Sequence, residues 1–480
     1  MKISAGHIDS SLTWFLAAAF PLALAAGLVM QSQKLLMVIY ASTVLLPFAY
    51  LVLFRFNLLI FITILAIPLS VKFTAGGTVV SLPGEILAGA VAIIYLVYRL
   101  VSSGNSDNRV LRHPVTVLLL MDLGWLVFSA IFSELPLISL KRIAVRMVFL
   151  ILFYFVFLRL FKDSRNIVRV MLLYGIGLVI PIITTLYDHS HYEFSKVVAF
   201  EMTKPFYNDH TQYSACIAFI IPLFILLAIK PGSYGFRPSA RLFFLPLLVL
   251  LVSGEIFSFS RAAWLSLIVA FGLYILVLMR VRLWHLVVFT LLGMAVVFYY
   301  QTEIYRYFEK VDAVSRHGNV ERHLESVMNI ETDASNMERI NRWKSAWRMF
   351  QDRPLTGFGP GTYQFVYGKY QLTTEMTRIS TNTGNKGNAH NEFLTYMSET
   401  GMPGFVIFNI LLLMNLSIAL RIINTTRKKE VKWLTVALLL GFVSYFFHGL
   451  FNSFLDTDKA AVLVFGCMAG FTALDLYHRG

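Results

Sequence analysis

The stretch QYSACIAFIIPLFILLAI, residues 212–229, is an apolar run without a single charged side chain. A helix needs about 20 apolar residues to cross the hydrocarbon core of a bilayer, and this run is close to that length. In lipid, only helices and closed barrels satisfy every backbone hydrogen bond, and a long continuous apolar run belongs to a helix. The stretch therefore predicts a membrane-spanning helix.

Runs of the same kind follow one another along a chain that is 57% hydrophobic and only 14% charged. A soluble domain is about half apolar and about a quarter charged. Pro or Gly interrupts several runs, so we expect about 12–14 spans. The candidates cover residues 12–30, 34–54, 56–71, 82–100, 114–132, 143–161, 167–187, 212–229, 241–259, 262–280, 283–300, 402–420, 432–450 and 458–477. The predicted fold class is an all-α polytopic membrane protein.

No cleavable signal peptide is evident, so we expect the apolar run that begins at Ser11 to be kept as the first span. Cys216 and Cys467 are the two cysteines of the chain, and both lie inside apolar runs. A disulfide scaffold is therefore excluded, and small buried apolar residues are the expected role of both.

The formal net charge is +14, and the positions of the Lys and Arg residues predict how the chain is oriented. With a cytoplasmic amino terminus, alternate short loops carry basic clusters such as residues 427–432, as the positive-inside rule requires. This bias explains the charge without a nucleic-acid partner. Lys141, Arg142 and Arg146 are an exception, and we expect them in an amphipathic segment lying on the outer surface.

The same topology places one long loop outside the cytoplasm and divides the chain into three parts. Residues 1–300 are expected to hold about 11 spans, 301–401 a loop domain, and 402–480 about three spans. Within the loop, residues 337–350 (MERINRWKSAWRMF) place apolar side chains at helical spacing, which predicts an amphipathic helix. The polar residues 371–389 are expected to form a mobile lid or loop.

The stretch AHNEFLTYMSETGMPG, residues 389–404, is the first candidate for chemistry. His390 and Asn391 are expected to open a helix, where the positive end of the helix dipole lowers the pKa of an imidazole. A neutral imidazole can accept a proton at neutral pH. An ordinary capping or surface histidine is the alternative. Gly401, Pro403 and Gly404 are expected to bend the chain into the next span.

Three arginines in the outer half are candidate phosphate ligands, because a guanidinium binds phosphate with two parallel hydrogen bonds. Arg261 lies between two apolar runs in FSFSRAAW, residues 257–264. It either snorkels at a tight turn or binds an anion. Arg339 and Arg342 share the predicted amphipathic helix, which presents either a solvated basic face or a phosphate site.

Further polar residues lie at predicted span ends on the outer face. Asn208 and His210 stand at the mouth of one span, where helix capping is the alternative role. His448, Asn452 and Asp456 lie near the end of another and are candidates to line the same cleft. Asp456 also begins an Asp-Thr-Asp triplet, the spacing by which many glycosyltransferases hold a metal, although three-letter patterns arise often by chance.

Four of these stretches occur in an order that resembles the O-antigen ligase and O-antigen polymerase superfamily, whose helix bundles belong to the GT-C class. They are SRAAW at 260–264, ERINRWKSAWRMFQDRPLTGFGPGTY at 338–363, AHNEFLTYMSETGMPG at 389–404 and FHGLFNSFLD at 447–456. The resemblance covers roughly the carboxyl-terminal half, from Phe206 onward. The amino-terminal half matches only as generic membrane spans.

The resemblance implies a multi-pass enzyme of the bacterial inner membrane whose active site faces the periplasm. Such an enzyme moves a glycan en bloc from undecaprenyl diphosphate to a hydroxyl of lipid A–core, or of a similar glycolipid or glycan, without metal, nucleotide sugar or cofactor. His390 then corresponds to the general base, and Arg261 and Arg339 bind the diphosphate. Arg342 does not fall on the motif position. A metal held by Asp456 would contradict this account.

Other functions remain open at this point. A polymerase that joins repeat units is the strongest rival, and transfer to a protein hydroxyl is a third reading, because the motifs do not identify the acceptor. A transporter of lipid-linked glycans would also have many spans. Transporters often show repeated halves, which this sequence lacks, and seldom need an external loop of this size. A purely structural role gives no reason for Arg261 at a span end.

Overall fold

A computed structural model describes residues 48–75, 78–101, 107–196, 198–279, 337–377, 380–381 and 387–479. Within these ranges, ten helices are long and apolar enough to cross a membrane, which confirms the all-α polytopic class. They coincide with the runs predicted from residue 82 to residue 280 and from residue 402 to residue 477. The spans expected at 12–30 and 283–300, and most of the one at 34–54, lie outside the described residues.

The helices are named in chain order. They are α1 (Phe56–Ala66), α2 (Gly84–Val101), α3 (Asn108–Leu111), α4 (Pro114–Ile131), α5 (Pro136–Phe149), α6 (Phe157–Leu160), α7 (Arg165–Gly177), α8 (Val179–Ser190), α9 (His210–Ile229), α10 (Arg241–Ile256), α11 (Arg261–Leu278), α12 (337–352), α13 (Tyr363–Val366), α14 (Glu392–Thr425), α15 (Lys429–His448) and α16 (Asp458–Ala473). Wider π-helical turns at Leu150–Val156 and Leu474–His478 join α5 to α6 and extend α16.

Helix α9, which carries the apolar run 212–229, lies at the centre of the bundle. Nearly every side chain from Thr211 to Ala228 is buried, including those on what would be the outer face of an amphipathic helix. It packs against α10, α11, α15 and α16. A helix that is apolar on all sides belongs in the interior, so the absence of charge in this run follows from its central position.

Two predictions for the amino-terminal half are wrong. Residues 56–71 do not form one span: α1 ends at Ala66 after 11 residues, and a hairpin of β1 (Val71–Ala75) and β2 (Thr78–Leu82) follows. The strands are antiparallel, with Val71 opposite Leu82. Secondly, α5 does not lie on the surface as a separate amphipathic segment, because it continues through the π-helical turn into the span Pro136–Leu160.

The bend predicted around Gly401 is confirmed. Gly401 interrupts α14 with φ 71° and ψ −174°, a conformation that favours glycine. A Cβ atom at this position would lie 2.2 Å from the carbonyl oxygen of Leu355. The amide of Met402 donates to the backbone carbonyl of Pro354 at 2.8 Å. The amide of Gly359 donates to the backbone carbonyl of Glu399 at 2.9 Å. The break therefore lets the extramembrane segment 354–361 pack directly on the helix that enters the membrane.

Helix α12 forms as predicted, but its apolar stripe is not its most buried face. Trp347 is 48% exposed, whereas Asn341, Arg342 and Ser345 are buried. Glu375, in the segment expected to be a mobile lid, forms ion pairs with Lys344 (3.0 Å) and Arg348 (2.6 Å) of α12. This part of the 371–389 segment is thus attached to α12, while residues 378–379 and 382–386 lie outside the described ranges.

Candidate functional site

His390 lies two residues before α14 begins, and not inside the helix as the sequence predicted. Asn391 is the N-cap, and its Oδ1 accepts a hydrogen bond from the amide of Leu394 at 2.9 Å. The Nδ2 of Asn391 donates to the carbonyl of Leu450 at 2.9 Å. Both ends of the Asn391 side chain are therefore engaged in holding the helix start in place.

The backbone of His390 is held in an unusual conformation, with φ 48°. Its amide donates to Oδ1 of Asn388 at 2.9 Å, and its carbonyl accepts from Nε1 of Trp343 at 3.4 Å. A non-glycine residue in this left-handed region costs free energy and persists only where neighbouring contacts impose it. The imidazole is therefore presented from a constrained backbone and not from a free loop.

Burial, together with the positive charges of Arg342 and Arg339, lowers the pKa of His390 to about 4. The carboxylate of Asp209 and the amide of Asn452 act in the opposite direction. The sequence predicted a neutral imidazole from the helix dipole. The imidazole is neutral at pH 7, but burial and two arginines are the causes, because His390 stands outside the helix.

Arg261 and Arg339 come from distant parts of the sequence and lie near each other. Arg261 is the exposed first residue of α11, and Arg339 is half-buried on α12. Burial lowers the pKa of Arg339, the carboxylate of Asp209 opposes this, and the charge of Arg261 adds to it. Neither guanidinium makes a hydrogen bond or an ion pair with any described residue.

A third cation, which was not predicted from the sequence, lies beside them. Lys196 lies in the segment between α8 and α9, and its pKa is lowered by burial and by the charge of Arg261. Like charges repel, so three neighbouring cations that form no ion pair with any described carboxylate make a surface suited to an anion. We call Lys196, Arg261 and Arg339 the cationic patch. A lone Lys in an irregular polar segment carries no sequence signal for this role.

Arg342 differs from Arg339, although both lie on α12. Its Nε donates to Glu338 at 2.8 Å, and its Nη1 donates to the carbonyl of Asn388 at 3.0 Å. The guanidinium also lies over the ring of Tyr367, 5.2 Å from its centroid. Arg342 is therefore built into the wall behind His390, and it acts on the imidazole through its charge.

The candidates from α9 and α15 reach the same site. Asp209 caps α9, its Oδ1 accepting from the amide of Thr211 at 2.8 Å, and Nδ1 of His210 lies 3.7 Å from that oxygen. His448 is the buried last residue of α15, and no described residue bonds its Nε2. Asn208 is exposed at the rim. Polar atoms from several elements therefore surround His390.

Asp456 lies in a separate cluster. It forms ion pairs with Arg142 and, at 3.2 Å, with Arg146, which is buried. Asp458, the other carboxylate of the triplet, accepts from the amide of Lys459 at 2.9 Å. In the described parts of the chain no group of three or more His, Cys, Asp or Glu side chains is arranged to hold a metal. The two carboxylates of the triplet thus have different partners.

Three further residues of this cluster, Asp122, Glu392 and Tyr396, were not predicted from the sequence. The hydroxyl of Tyr396 donates to Asp122, and both side chains are buried. The carboxylate of Glu392 accepts from the amides of Phe454 (3.0 Å) and Leu455 (3.3 Å). Asp122 interrupts an otherwise apolar run. A charged residue in such a run indicates a functional or structural role, so Asp122 could have been predicted as a candidate.

Comparisons with known proteins match parts of this chain. Residues 246–409 match the family model described as O-antigen ligase, a segment that contains Arg261, Arg339 and His390. An uncharacterized protein of Haemophilus influenzae (strain ATCC 51907 / DSM 11121 / KW20 / Rd) is 24% identical over 133 residues. That match covers 28% of this chain and 32% of the relative, so it spans about a third of the relative's length.

Proposed function

We propose that this chain transfers a glycan en bloc from undecaprenyl diphosphate to a hydroxyl of lipid A–core or a similar acceptor, a proposal supported by the match of residues 246–409 to the O-antigen ligase family model. The family match supports an O-antigen ligase or polymerase type of glycosyltransferase in a membrane. The donor, the acceptor and the residue roles are our proposal. The observation that carries it is the neutral His390 beside a cationic patch without ion-pair partners among the described residues.

The cationic patch is the proposed site of the diphosphate. Arg261 and Arg339 would each form charge-assisted hydrogen bonds with its oxygens, which are stronger than neutral ones. When the bond between the anomeric carbon and the diphosphate oxygen breaks, negative charge increases on that oxygen. Preorganised cations at this position stabilise the transition state more than the ground state.

His390 is the proposed general base. The acceptor hydroxyl loses its proton to the neutral imidazole as its oxygen forms a bond to the anomeric carbon, and the bond to the diphosphate breaks. One displacement of this kind inverts the anomeric centre. The imidazolium then returns its proton to solvent or to the released diphosphate. Binding of the anion offsets the charge of Arg339, which raises the pKa of His390 and makes it a stronger base.

The distribution of basic residues supports a periplasmic location in the inner membrane. The site lies where α9, α11 and α14 begin and where α15 ends. The opposite ends of the helices are joined by connections rich in Lys and Arg, such as residues 159–165 and 427–432. Basic connections remain in the cytoplasm, so the site would face the other side.

Metal independence is part of the proposal, because two arginines supply the positive charge and the carboxylates of Asp456 and Asp458 have other partners. We expect transfer by the purified enzyme to continue in excess chelator. Loss of transfer that added Mg²⁺ or Mn²⁺ restores would overturn this part of the proposal.

The main experiment replaces His390, Arg261 or Arg339 by Ala in a deletion strain and follows surface polysaccharide on gels. We expect His390→Ala to abolish it at normal protein level. His191→Ala and Arg237→Ala, at exposed positions, are the matched controls and should keep activity. Full activity of His390→Ala would refute the base assignment. Unligated lipid-linked polymer in the deletion strain indicates a ligase, whereas single repeat units on core indicate a polymerase.

A further inference from the structure

Two short segments run side by side next to His390. The Nδ2 of Asn388 donates to the carbonyl of Ser453 at 2.7 Å. Farther along, Asn391 reaches Leu450, and the amide of Glu392 donates to the carbonyl of Gly449 at 2.7 Å. The two segments are therefore antiparallel. In this alignment His390 lies opposite Phe451, next to Asn452, whose side-chain amide acts on the imidazole.

Asn452 is 1% exposed, and its amide is incompletely satisfied as it stands. Its Oδ1 lies 3.4 Å from Oγ1 of Thr211, while its Nδ2 has no hydrogen-bond partner among the described residues. A buried amide nitrogen without an acceptor costs free energy. Buried polar side chains are almost always paired, so this orphaned atom requires an explanation.

The hydroxyl of Thr211 supplies that explanation. It donates its one proton to Oδ1 of Asp209 at 2.7 Å, so it has none left to donate to Asn452. It can still accept a proton. The oxygen and nitrogen of an Asn amide occupy equivalent positions, and the hydrogen-bond network decides which is which. With the amide turned over, Nδ2 donates to Thr211 and Oδ1 takes the place of the orphaned nitrogen, on the side of His390.

We propose that Asn452 is a positioning residue for His390: its amide oxygen accepts the N–H of one ring nitrogen, which leaves the lone pair of the other nitrogen free for the acceptor hydroxyl. The chain of hydrogen bonds runs from His390 through Asn452 and Thr211 to the carboxylate of Asp209. It fixes the tautomer and orientation of the ring in the way that a carboxylate does in a catalytic triad. The use of the free lone pair rests on the proposed function, whereas the hydrogen bond itself does not.

The charged groups around the ring agree with a neutral acceptor at this position. Arg339 and Arg342 both disfavour the imidazolium, and Asp209 and Asn452 favour it. A carboxylate in place of Asn452 would favour it more strongly. An amide orients the imidazole without holding a proton on it in the resting enzyme.

The experiment compares Asn452→Leu with Asn415→Leu in the purified full-length enzyme. Asn415 is also fully buried, but its Nδ2 bonds only within its own helix, to Leu411 at 2.8 Å. We expect Asn452→Leu to lower kcat by about 10- to 100-fold with little change in KM. Asn415→Leu should keep kcat. In a His390→Ala background Asn452→Leu should have no further effect, since it acts through His390.

A direct readout is the tautomer of His390, measured by NMR of enzyme with ¹⁵N-labelled histidine and assigned by the signal lost in His390→Ala. We expect one tautomer in the natural protein and a mixture in Asn452→Leu. An unchanged tautomer in Asn452→Leu would overturn the proposal. Full activity of His390→Ala would refute the base role alone, and the tautomer would still decide the hydrogen bond.

Two other variants keep the test open if Asn452→Leu does not fold. Asn452→Asp keeps a hydrogen-bond acceptor, so we expect a single tautomer of His390. Its carboxylate favours the imidazolium, so the acid limb of kcat/KM should move to higher pH. Thr211→Val removes the link to Asp209 and should lower kcat less than Asn452→Leu does. A Thr211→Val enzyme with normal kcat and a single tautomer would contradict the relay through Thr211.

Discussion

Two clusters of arginines in this molecule have opposite surroundings. Arg142 and Arg146 are paired with Asp456, and Arg146 is buried. In the cationic patch, Arg261 and Arg339 have no ion-pair partner in the described ranges. A buried charge without a partner destabilises the folded protein. An exposed or half-buried cation is solvated, so it needs no partner and remains available to bind an anion. The comparison separates arginines that hold helices together from arginines that we propose to bind the substrate.

Breaking the paired cluster should have the largest effect, and the effect should be on folding. Arg146→Ala leaves the carboxylate of Asp456 with only Arg142, and loss of one partner of a buried pair costs about 3–5 kcal/mol. We expect poor expression and a large fall in the thermal midpoint measured in detergent. Replacing both members, as in Arg146→Met with Asp456→Leu, should recover part of the stability. If the Arg146→Ala enzyme is stable but inactive, Arg146 contacts the substrate and does not serve only to stabilise the fold.

The cationic patch should show the opposite behaviour, with activity lost and folding kept. Arg339→Ala or Arg261→Ala removes a proposed donor to the diphosphate, and loss of one donor of this kind lowers kcat by about 100- to 1,000-fold. We expect the thermal midpoint to stay near that of the natural protein. Arg339→Lys keeps the charge but loses the bidentate geometry, so it should recover activity only in part. If Arg339→Ala keeps normal activity, Arg339 does not bind the diphosphate.

The contrast also shows which features of the fold and of the site could be predicted from the sequence. Apolar length predicted the spans because burial in lipid acts on every residue of a run, and Gly401 was predictable because its bend depends on local backbone conformation. The pair of Arg342 with Glu338 could have been predicted, because the two residues lie four apart on one helix, a spacing that favours ion pairs. Pairing between residues distant in sequence, such as Arg142 and Asp456, was not predictable.

The predicted pKa of His390 illustrates the same limit. The sequence correctly indicated a neutral imidazole, but attributed it to a helix that in fact begins two residues later. The real causes, burial and the charges of Arg342 and Arg339, are properties of the assembled site. The predicted 56–71 span failed for a related reason, since periodicity does not show where an apolar run turns into a hairpin.

A pH profile tests whether the cationic patch acts on His390. Activity should be lost as pH falls through the pKa of His390, because the imidazolium cannot accept a proton, and for the free enzyme that pKa is about 4. The acid limb of kcat should lie at higher pH than that of kcat/KM, since bound diphosphate offsets the charge of Arg339. Arg339→Gln should raise the pKa in the free enzyme and bring the two limbs closer. If the acid limbs of kcat and kcat/KM do not move in Arg339→Gln, the charge of Arg339 does not control the pKa of His390.

The smallest effect is expected at the periphery of α12, where Glu375 pairs with Lys344 and Arg348. Lys344 is 43% exposed, and solvent screens such pairs so that each contributes about 0–1 kcal/mol. Glu375→Gln should therefore change the thermal midpoint slightly and leave kcat within about twofold, because these cations neither face His390 nor belong to the patch. If Glu375→Gln instead raised KM strongly at unchanged stability, the 371–377 segment would contact the glycan. Pairing would then no longer separate structural arginines from those that serve the substrate.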